Sequence, residues 1–245
     1  MYLNILGLIP ARGGSKTITH KNIAVVAGRP LLAYTCEAAQ QSRLLTRVVL
    51  STDDPSIAEV GKKYRVEIPF MRPAEFAKDD TPMLSVLQHA LKMLQETEGY
   101  RPEVVVLLQP TSPLRRAEHI DSAVEILLET GTDSVVSVVE VPHQYSPVSL
   151  MCLEEGRLVP LQEGPLIMRR QDKLKVYARN GPAVLAVRKE VVLKKNSLYG
   201  DDCRPLIMAH EDSVDIDSPL DLKFAEFMIQ RRLKNNRSQQ EHSVE

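Results

Sequence analysis

Leu3-Asn4-Ile5-Leu6-Gly7-Leu8-Ile9-Pro10-Ala11-Arg12-Gly13-Gly14-Ser15-Lys16 is the stretch that decides how this chain is read. Its first half is a nearly unbroken apolar run closed by a proline, the pattern of a strand buried on both faces. Its second half is a glycine turn flanked by cations. In open α/β sheets ligands bind beyond the carboxyl ends of strands, which is where this turn falls. Gly13 and Gly14 let backbone N–H groups approach an anion, while Arg12, Lys16 and the following Lys21 supply positive charge. The turn is therefore a candidate phosphate loop. It matches neither GxxxxGK[ST] nor GxGxxG, so it is not of the Walker type and not a dinucleotide fingerprint.

Outward from this loop, strand and helix patterns alternate. Strands are expected at 47–51, 66–70, 104–108, 134–139, 183–187 and 206–209, the clearest being 104–108. Helices are expected from Pro30, from Asp54-Pro55 to Tyr64, from Thr81-Pro82 to Leu94, over 118–129, and after a Ser218 cap followed by Pro219. Alternation of this kind predicts an α/β fold, a mostly parallel sheet covered by helices on both faces. Residues 142–182 break the rhythm with Pro142, Pro147, Pro160, Pro165 and Pro182, a short strand candidate at 149–153 and a turn at Glu155-Gly156. An irregular segment of this length reads as an arm, lid or subunit contact. The expected organisation is one domain over 1–232 carrying 142–182 as an insertion, then a polar, frayed tail over 233–245.

Composition bounds the function. With 245 residues, 43% of them hydrophobic, the chain can bury about 70% of its unfolded surface without disulfide or metal staples. A net charge of -1, from 31 Lys+Arg against 32 Asp+Glu, argues against a general nucleic-acid binder. No apolar run reaches membrane-spanning length. The apolar N-terminus lacks the basic region of a signal peptide. Cys36, Cys152 and Cys203, odd in number and widely spaced, form neither a disulfide framework nor a zinc ribbon and fit a reducing, cytoplasmic compartment.

The near-neutral total hides strong local fields. Residues 1–36 carry no acid; residues 165–180 carry Arg169, Arg170, Lys173, Lys175 and Arg179 against Asp172; residues 201–221 carry seven carboxylates against Arg204. Two basic segments and one acidic one suggest an anionic substrate with a metal cation beside it. Asp215-Ile216-Asp217 is the metal candidate, because residues i and i+2 of an extended segment share a face. Mg²⁺ is typically held by one or two carboxylates plus substrate phosphates. A solvated surface loop is the plain alternative. After the 104–108 strand, Gln109 can both donate and accept, as reading a nucleobase requires. Pro110 and Pro113 stiffen that loop around Thr111. Asp53 and Arg72 are weaker candidates. His143 and His210 lack ligand-like spacing, and no Ser-His-Asp set can be assembled.

IPARGGSK with Lys21-Asn22-Ile23, Ser51-Thr52-Asp53, Arg72-Pro73-Ala74-Glu75, LLQPTSPLR ending at Arg115, Arg170-Gln171, Asn180-Gly181 and Asp215-Ile216-Asp217 occur in that order over residues 5–227. This series resembles the acylneuraminate cytidylyltransferase family, the CMP-sialic acid synthetases. The resemblance implies a Rossmann-like sheet whose inserted arm at 142–182 forms a homodimer, with tetramers as a further option. It implies transfer of CMP from CTP to the anomeric hydroxyl of an acidic 2-keto sugar, sialic acid or another nonulosonic acid, with release of pyrophosphate. Arg12, Gly13, Gly14, Ser15, Lys16 and Lys21 would hold the triphosphate, and Asn22 would position the nucleotide. Arg72 and Gln109 would meet base and ribose, and Gln109, Thr111, Arg170 and Asn180 the sugar. Asp215 and Asp217 would hold Mg²⁺, with Lys21, Arg12 and Asp217 as the catalytic set.

The chain departs from the family pattern at Thr17-Ile18-Thr19, where Gly-x-Pro is common, and at Met83, where a small Ser or Thr is common. It also carries Ala178-Arg179-Asn180-Gly181 where Arg-Pro-Asn-Gly is usual. The identity of the sugar, legionaminic and pseudaminic acid included, and of the nucleotide stay open on these grounds. A glycosyltransferase with an Asp-x-Asp metal motif is a competing class, disfavoured by the early Gly-Gly-Ser-Lys loop. A non-catalytic relative is disfavoured by the joint presence of Lys21, Asp215 and Asp217.

Overall fold

The structure, a computed structural model, describes residues 3–162, 169 and 174–242. Its centre is β1 (Ile5–Pro10), buried along its whole length. β1 pairs in parallel with β4 (Arg47–Ser51) on one side and β5 (Val104–Leu107) on the other. The short strands β2 (Val25–Val26) and β3 (Arg29–Pro30) form a separate hairpin after the first loop. The main sheet continues from β5 through β10 (Leu185–Arg188) and β6 (Ser134–Glu140) to the edge strand β11 (Cys203–Ile207). β10 runs antiparallel to both its neighbours, and β9 (Tyr177–Arg179) extends the same antiparallel pairing along the far end of β6. The sheet is mostly parallel, as expected.

Two-sided burial explains the apolar runs. Ile5 and Ile9 of β1 and Val104 and Val106 of β5 enter one core with α1 (Leu31–Gln41), α2 (Pro55–Lys63) and α4 (Ala117–Thr130). The alternate residues Leu6, Leu8, Val105 and Leu107 enter a second core with α3 (Met83–Glu98) and α5 (Lys189–Leu193). Period-two alternation is invisible in the sequence when both faces are covered. Helix starts follow local chemistry. Asp54 caps α2 by accepting the Ser56 and Ile57 N–H groups at 2.7 and 3.3 Å, with Pro55 in its first turn. Ser218 accepts the Asp221 N–H at 3.3 Å at the start of α6 (Pro219–His242).

Several expectations need correction. The extended segment at 66–70 makes only an isolated parallel bridge, Val49 with Glu67. The strand expected at 206–209 is β11, beginning three residues earlier at Cys203. Its first three residues are exposed at the sheet edge, so hydrophobicity carried no signal there. β10 begins at Leu185, two residues after the expected start. The polar stretch expected to fray continues α6 through His242. Within 142–182, β7 (Met151–Glu154) and β8 (Arg157–Pro160) form an exposed hairpin turning at Glu155-Gly156, both with positive φ.

A third, smaller core packs α6 against the β2–β3 hairpin through Val26, Leu31, Val214, Ile216, Ala225 and Ile229. This core orients the acidic segment. Val214 and Ile216 are buried, so Asp215 and Asp217 face the other way.

Candidate functional site

The chain runs outward from β1 to β4 and then crosses to the other side of β1 as β5. Such a switch point opens a crevice beyond the strands' carboxyl ends. A cleft of about 570 Å³ lies there, lined by the loop after β1, the loop after β5, Gly181 and the 215–217 segment.

The first loop reaches the cleft through Arg12, Gly14, Ser15 and Lys16. It is pinned from beneath, where the Gly13 N–H donates to Asp53 Oδ1 at 3.0 Å. A Cβ on Gly13 would come within 2.7 Å of the Asp54 carboxylate, so this glycine serves close approach to the α2 cap and does not line the cleft. Around Gly14 a Cβ would meet nothing. Asn22 lines the cleft but donates its amide to the Arg12 carbonyl at 2.9 Å, which holds the loop's path. Lys21 begins a one-turn 3-10 helix after His20 in the left-handed region. Its Nζ donates to the Ile216 carbonyl at 2.8 Å and stands 3.5 Å from Asp217 Oδ1.

Arg72 comes from the segment before α3. Its side chain is only 3% exposed, its Nη2 stands 3.7 Å from Asp53 Oδ1 in an ion pair, and neither Nε nor Nη2 has a hydrogen-bond partner. Burial pushes its pKa down, Asp53 opposes that, and nearby Arg12 adds to it. A buried cation with free donors is a place for an acceptor oxygen. Gln109 and Thr111 also line the cleft. Gln109 Nε2 donates to the Gly181 carbonyl at 2.8 Å, and the Thr111 carbonyl accepts the Ile216 N–H at 2.9 Å. Arg115, fully buried behind them, donates to the carbonyls of Gln109 at 3.0 Å and Ala183 at 2.8 Å, clamping two cleft loops together.

Asp215 and Asp217 both reach the cleft. Asp215 Oδ1 is buried and unpartnered. Burial pushes its carboxyl pKa up, the charge of Asp217 adds to this, and Thr111 and Lys21 oppose it. Asp217 is 83% exposed.

Like Gly13, a second expected site residue does not line the cleft. Asn180 is buried away from the cleft: its Oδ1 accepts from Ser137 at 2.6 Å and its amide donates to Ser213 at 3.0 Å. It holds the β6 and β9 region to the 208–213 turn. Arg170 lies outside the described residues. Met83 lines the cleft from the first turn of α3. Sequence reasoning missed Asp79, whose carboxylate lies 2.5 Å from Arg12 and 2.7 Å from Lys16. In sequence it is one of two acids in Lys78-Asp79-Asp80, indistinguishable from a solvated loop.

Comparison with known proteins gives the family. The sequence pattern of the cytidylyltransferase family matches residues 6–237. The chain is 35% identical over 235 residues to a CMP-N,N'-diacetyllegionaminic acid synthase of Legionella pneumophila, covering 93% of this chain and 97% of that protein. It is 30% identical over 224 residues to a pseudaminic acid cytidylyltransferase of Campylobacter jejuni, covering 91% and 95%. Among solved structures, a CMP:2-keto-3-deoxy-manno-octonic acid synthetase complexed with CTP superposes with a TM-score of 0.69 at 16% identity, covering 94% of this chain and 99% of that one, a likeness of fold.

Proposed function

The chain belongs to the cytidylyltransferase family, and from that premise we propose that it transfers CMP from CTP to the anomeric hydroxyl of an acidic 2-keto sugar of the nonulosonic class, releasing pyrophosphate. One observation carries the reading. A loop with three cations and a carboxylate whose buried Oδ1 has no hydrogen-bond partner face the same cleft at the switch point of the sheet.

Phosphoryl-type transfer needs in-line positioning and neutralisation of oxygen charge, with no covalent protein nucleophile. Arg12, Lys16 and Lys21 neutralise the triphosphate and hold the departing pyrophosphate. Arg72, which lines the cleft with two donors that make no hydrogen bond, supplies positive charge beside the nucleotide. Gln109 and Thr111 line the wall where nucleotide and sugar meet, and Arg170 is assigned to the sugar carboxylate on its motif alone. Asp215 and Asp217 would hold Mg²⁺. The unpartnered Asp215 Oδ1 and the repulsion between the two carboxylates fit a hard cation completed by phosphate oxygens. When bound, Mg²⁺ supplies charge neutralisation at the α-phosphate and acidifies the attacking hydroxyl.

The assignment to a cytoplasmic homodimer belongs to the same reading. Leu153 and Leu158 on the β7–β8 hairpin are 73% and 68% exposed, which supports contact with a second copy. No described helix is long and apolar enough to cross a membrane. Sedimentation is expected to give twice the chain mass; a monomer throughout the micromolar range refutes the dimer.

The deciding experiment incubates the protein with Mg²⁺, each of CTP, GTP, UTP and ATP, and a panel of acidic 2-keto sugars, and measures pyrophosphate release. Release with CTP and a nonulosonic acid is the expected result. Release with a different nucleotide alone would refute the choice of CTP and point to Met83. Silence across the panel would refute the transferase reading.

A further inference from the structure

Arg12, Lys16 and Lys21, the cations of the phosphate loop, each face a carboxylate, and one carboxylate serves two of them. Asp79 comes from the exposed turn before α3, a distant part of the sequence, yet its Oδ1 and Oδ2 separately meet Arg12 at 2.5 Å and Lys16 at 2.7 Å. The two oxygens bridge the cations much as two oxygens of a phosphate would. Lys16 first and Arg12 second hold this carboxyl below the usual range, so it is ionised at working pH. A phosphate entering beside it would meet a like charge within contact distance, which costs free energy unless the carboxylate leaves.

We propose that Asp79 is a charge gate on the phosphate loop: its carboxylate occupies Arg12 and Lys16 in the free chain, and a polyphosphate that also engages Lys21 and the loop backbone displaces it. The gate rests on reading this loop as the triphosphate site. An anion that merely replaces the carboxylate on two cations exchanges like for like and gains little. A longer phosphate chain gains contacts that Asp79 never made. Specificity for the triphosphate therefore includes a threshold set by this chain's own carboxylate. The same exchange weakens rebinding of short phosphates after turnover, because Asp79 returns to the two cations.

The test is isothermal titration of the full chain with inorganic tripolyphosphate in metal-free buffer, for the native protein, Asp79→Asn and Asp80→Asn. Asp80 is the control because it lies on the same exposed turn, carries the same charge and makes no ion pair with a described residue. Asp79→Asn is expected to bind tripolyphosphate roughly three- to tenfold tighter, the scale of releasing two partly exposed ion pairs. Asp80→Asn is expected to stay within about twofold of native. Cytidine, which carries no phosphate, is expected to bind all three alike. Unchanged or weaker tripolyphosphate binding by Asp79→Asn overturns the gate and makes Asp79 a residue that aligns the cations. An equal gain in Asp80→Asn also overturns it, by reducing the effect to net charge. Native protein that binds neither tripolyphosphate nor CTP overturns the functional reading, and the gate with it.

Discussion

Replacing Lys21 by alanine tests the role of the most deeply placed lysine of the phosphate loop. Its side chain is 14% exposed and its Nζ is aimed by the Ile216 carbonyl at 2.8 Å, with Asp217 Oδ1 at 3.5 Å. Two unit charges about 4 Å apart interact by about 4 kcal/mol at the effective dielectric of a partly buried site. That is a ceiling, since only part of a charge develops at the departing oxygen. Loss of one preorganised donor to a developing oxyanion costs about 2.7–4 kcal/mol, or roughly 100- to 1,000-fold in kcat. The expected outcome is a kcat loss in that range with KM changed less than about tenfold. The fold should hold, because the change removes one hydrogen bond worth about 1 kcal/mol, or about 2–4 °C in Tm for a chain of this size. Initial rates of pyrophosphate release against CTP concentration measure the first quantity and a thermal melt the second. Lys21→Arg keeps the charge with a different fork geometry and should fall between the two. A rise in KM with kcat intact would refute a transition-state role and leave Lys21 as a binding residue.

Other substitutions probe the remaining parts of the site and its frame. Asp217→Ala should abolish most turnover while shifting stability by less than about 0.5 kcal/mol, because this side chain is 83% exposed; unchanged rates at saturating Mg²⁺ would remove it from the metal site. Gly181→Ala should cost about 1–3 kcal/mol in urea unfolding and lower turnover, since φ is +115° and the new Cβ would stand 3.1 Å from Ser112 Oγ and 3.3 Å from the Asp215 carboxylate; a native-like midpoint and rate would sink this account. Asp121→Asn should lose about 1–3 kcal/mol, because the carboxylate accepts from Ser42 Oγ at 2.5 Å and from the N–H groups of Arg43 and Leu44 at 3.1 and 3.3 Å. Burial alone would raise the Asp121 pKa, but those bonds outweigh it and hold the carboxyl below its usual range. Its stabilisation is therefore full above about pH 4, the unfolded value, and is lost as pH falls through the folded one. Denaturation of native and variant protein compared from pH 6 to pH 2 should show the difference shrinking with acid, and a constant gap would contradict that linkage.

Local chemistry made much of the site legible. Arg12, Ser15, Lys16, Lys21, Arg72, Gln109, Thr111, Asp215 and Asp217 all line one cleft, as their motifs suggested. The Asp215 and Asp217 pair was readable because Val214 and Ile216 alternate with it, and alternation is a property of the extended backbone itself. The helices after Asp54 and Ser218 were readable because their caps are neighbours in sequence. The edge strand β11 was not, because half-exposed edge residues carry no apolar pattern. The reversed direction of β10 was not, because strand direction in a sheet is a relation between distant segments.

The same distinction separates residues that look alike. Asn22 and Asn180 both sat in expected site motifs, yet one lines the cleft and the other is spent on Ser137 and Ser213. Asp53 and Asp79 are both loop acids, yet one pins the phosphate loop through Gly13 and the other bridges its cations. Sequence by itself determined most of the helices, the inner strands and the two-sided burial of the central strands, because periodicity and caps act between near neighbours. Tertiary structure alone decided which side chains meet across the cleft and which are consumed as scaffold. Those outcomes depend on contacts between residues tens to hundreds of positions apart, such as Lys21 with Ile216, and no local pattern records them.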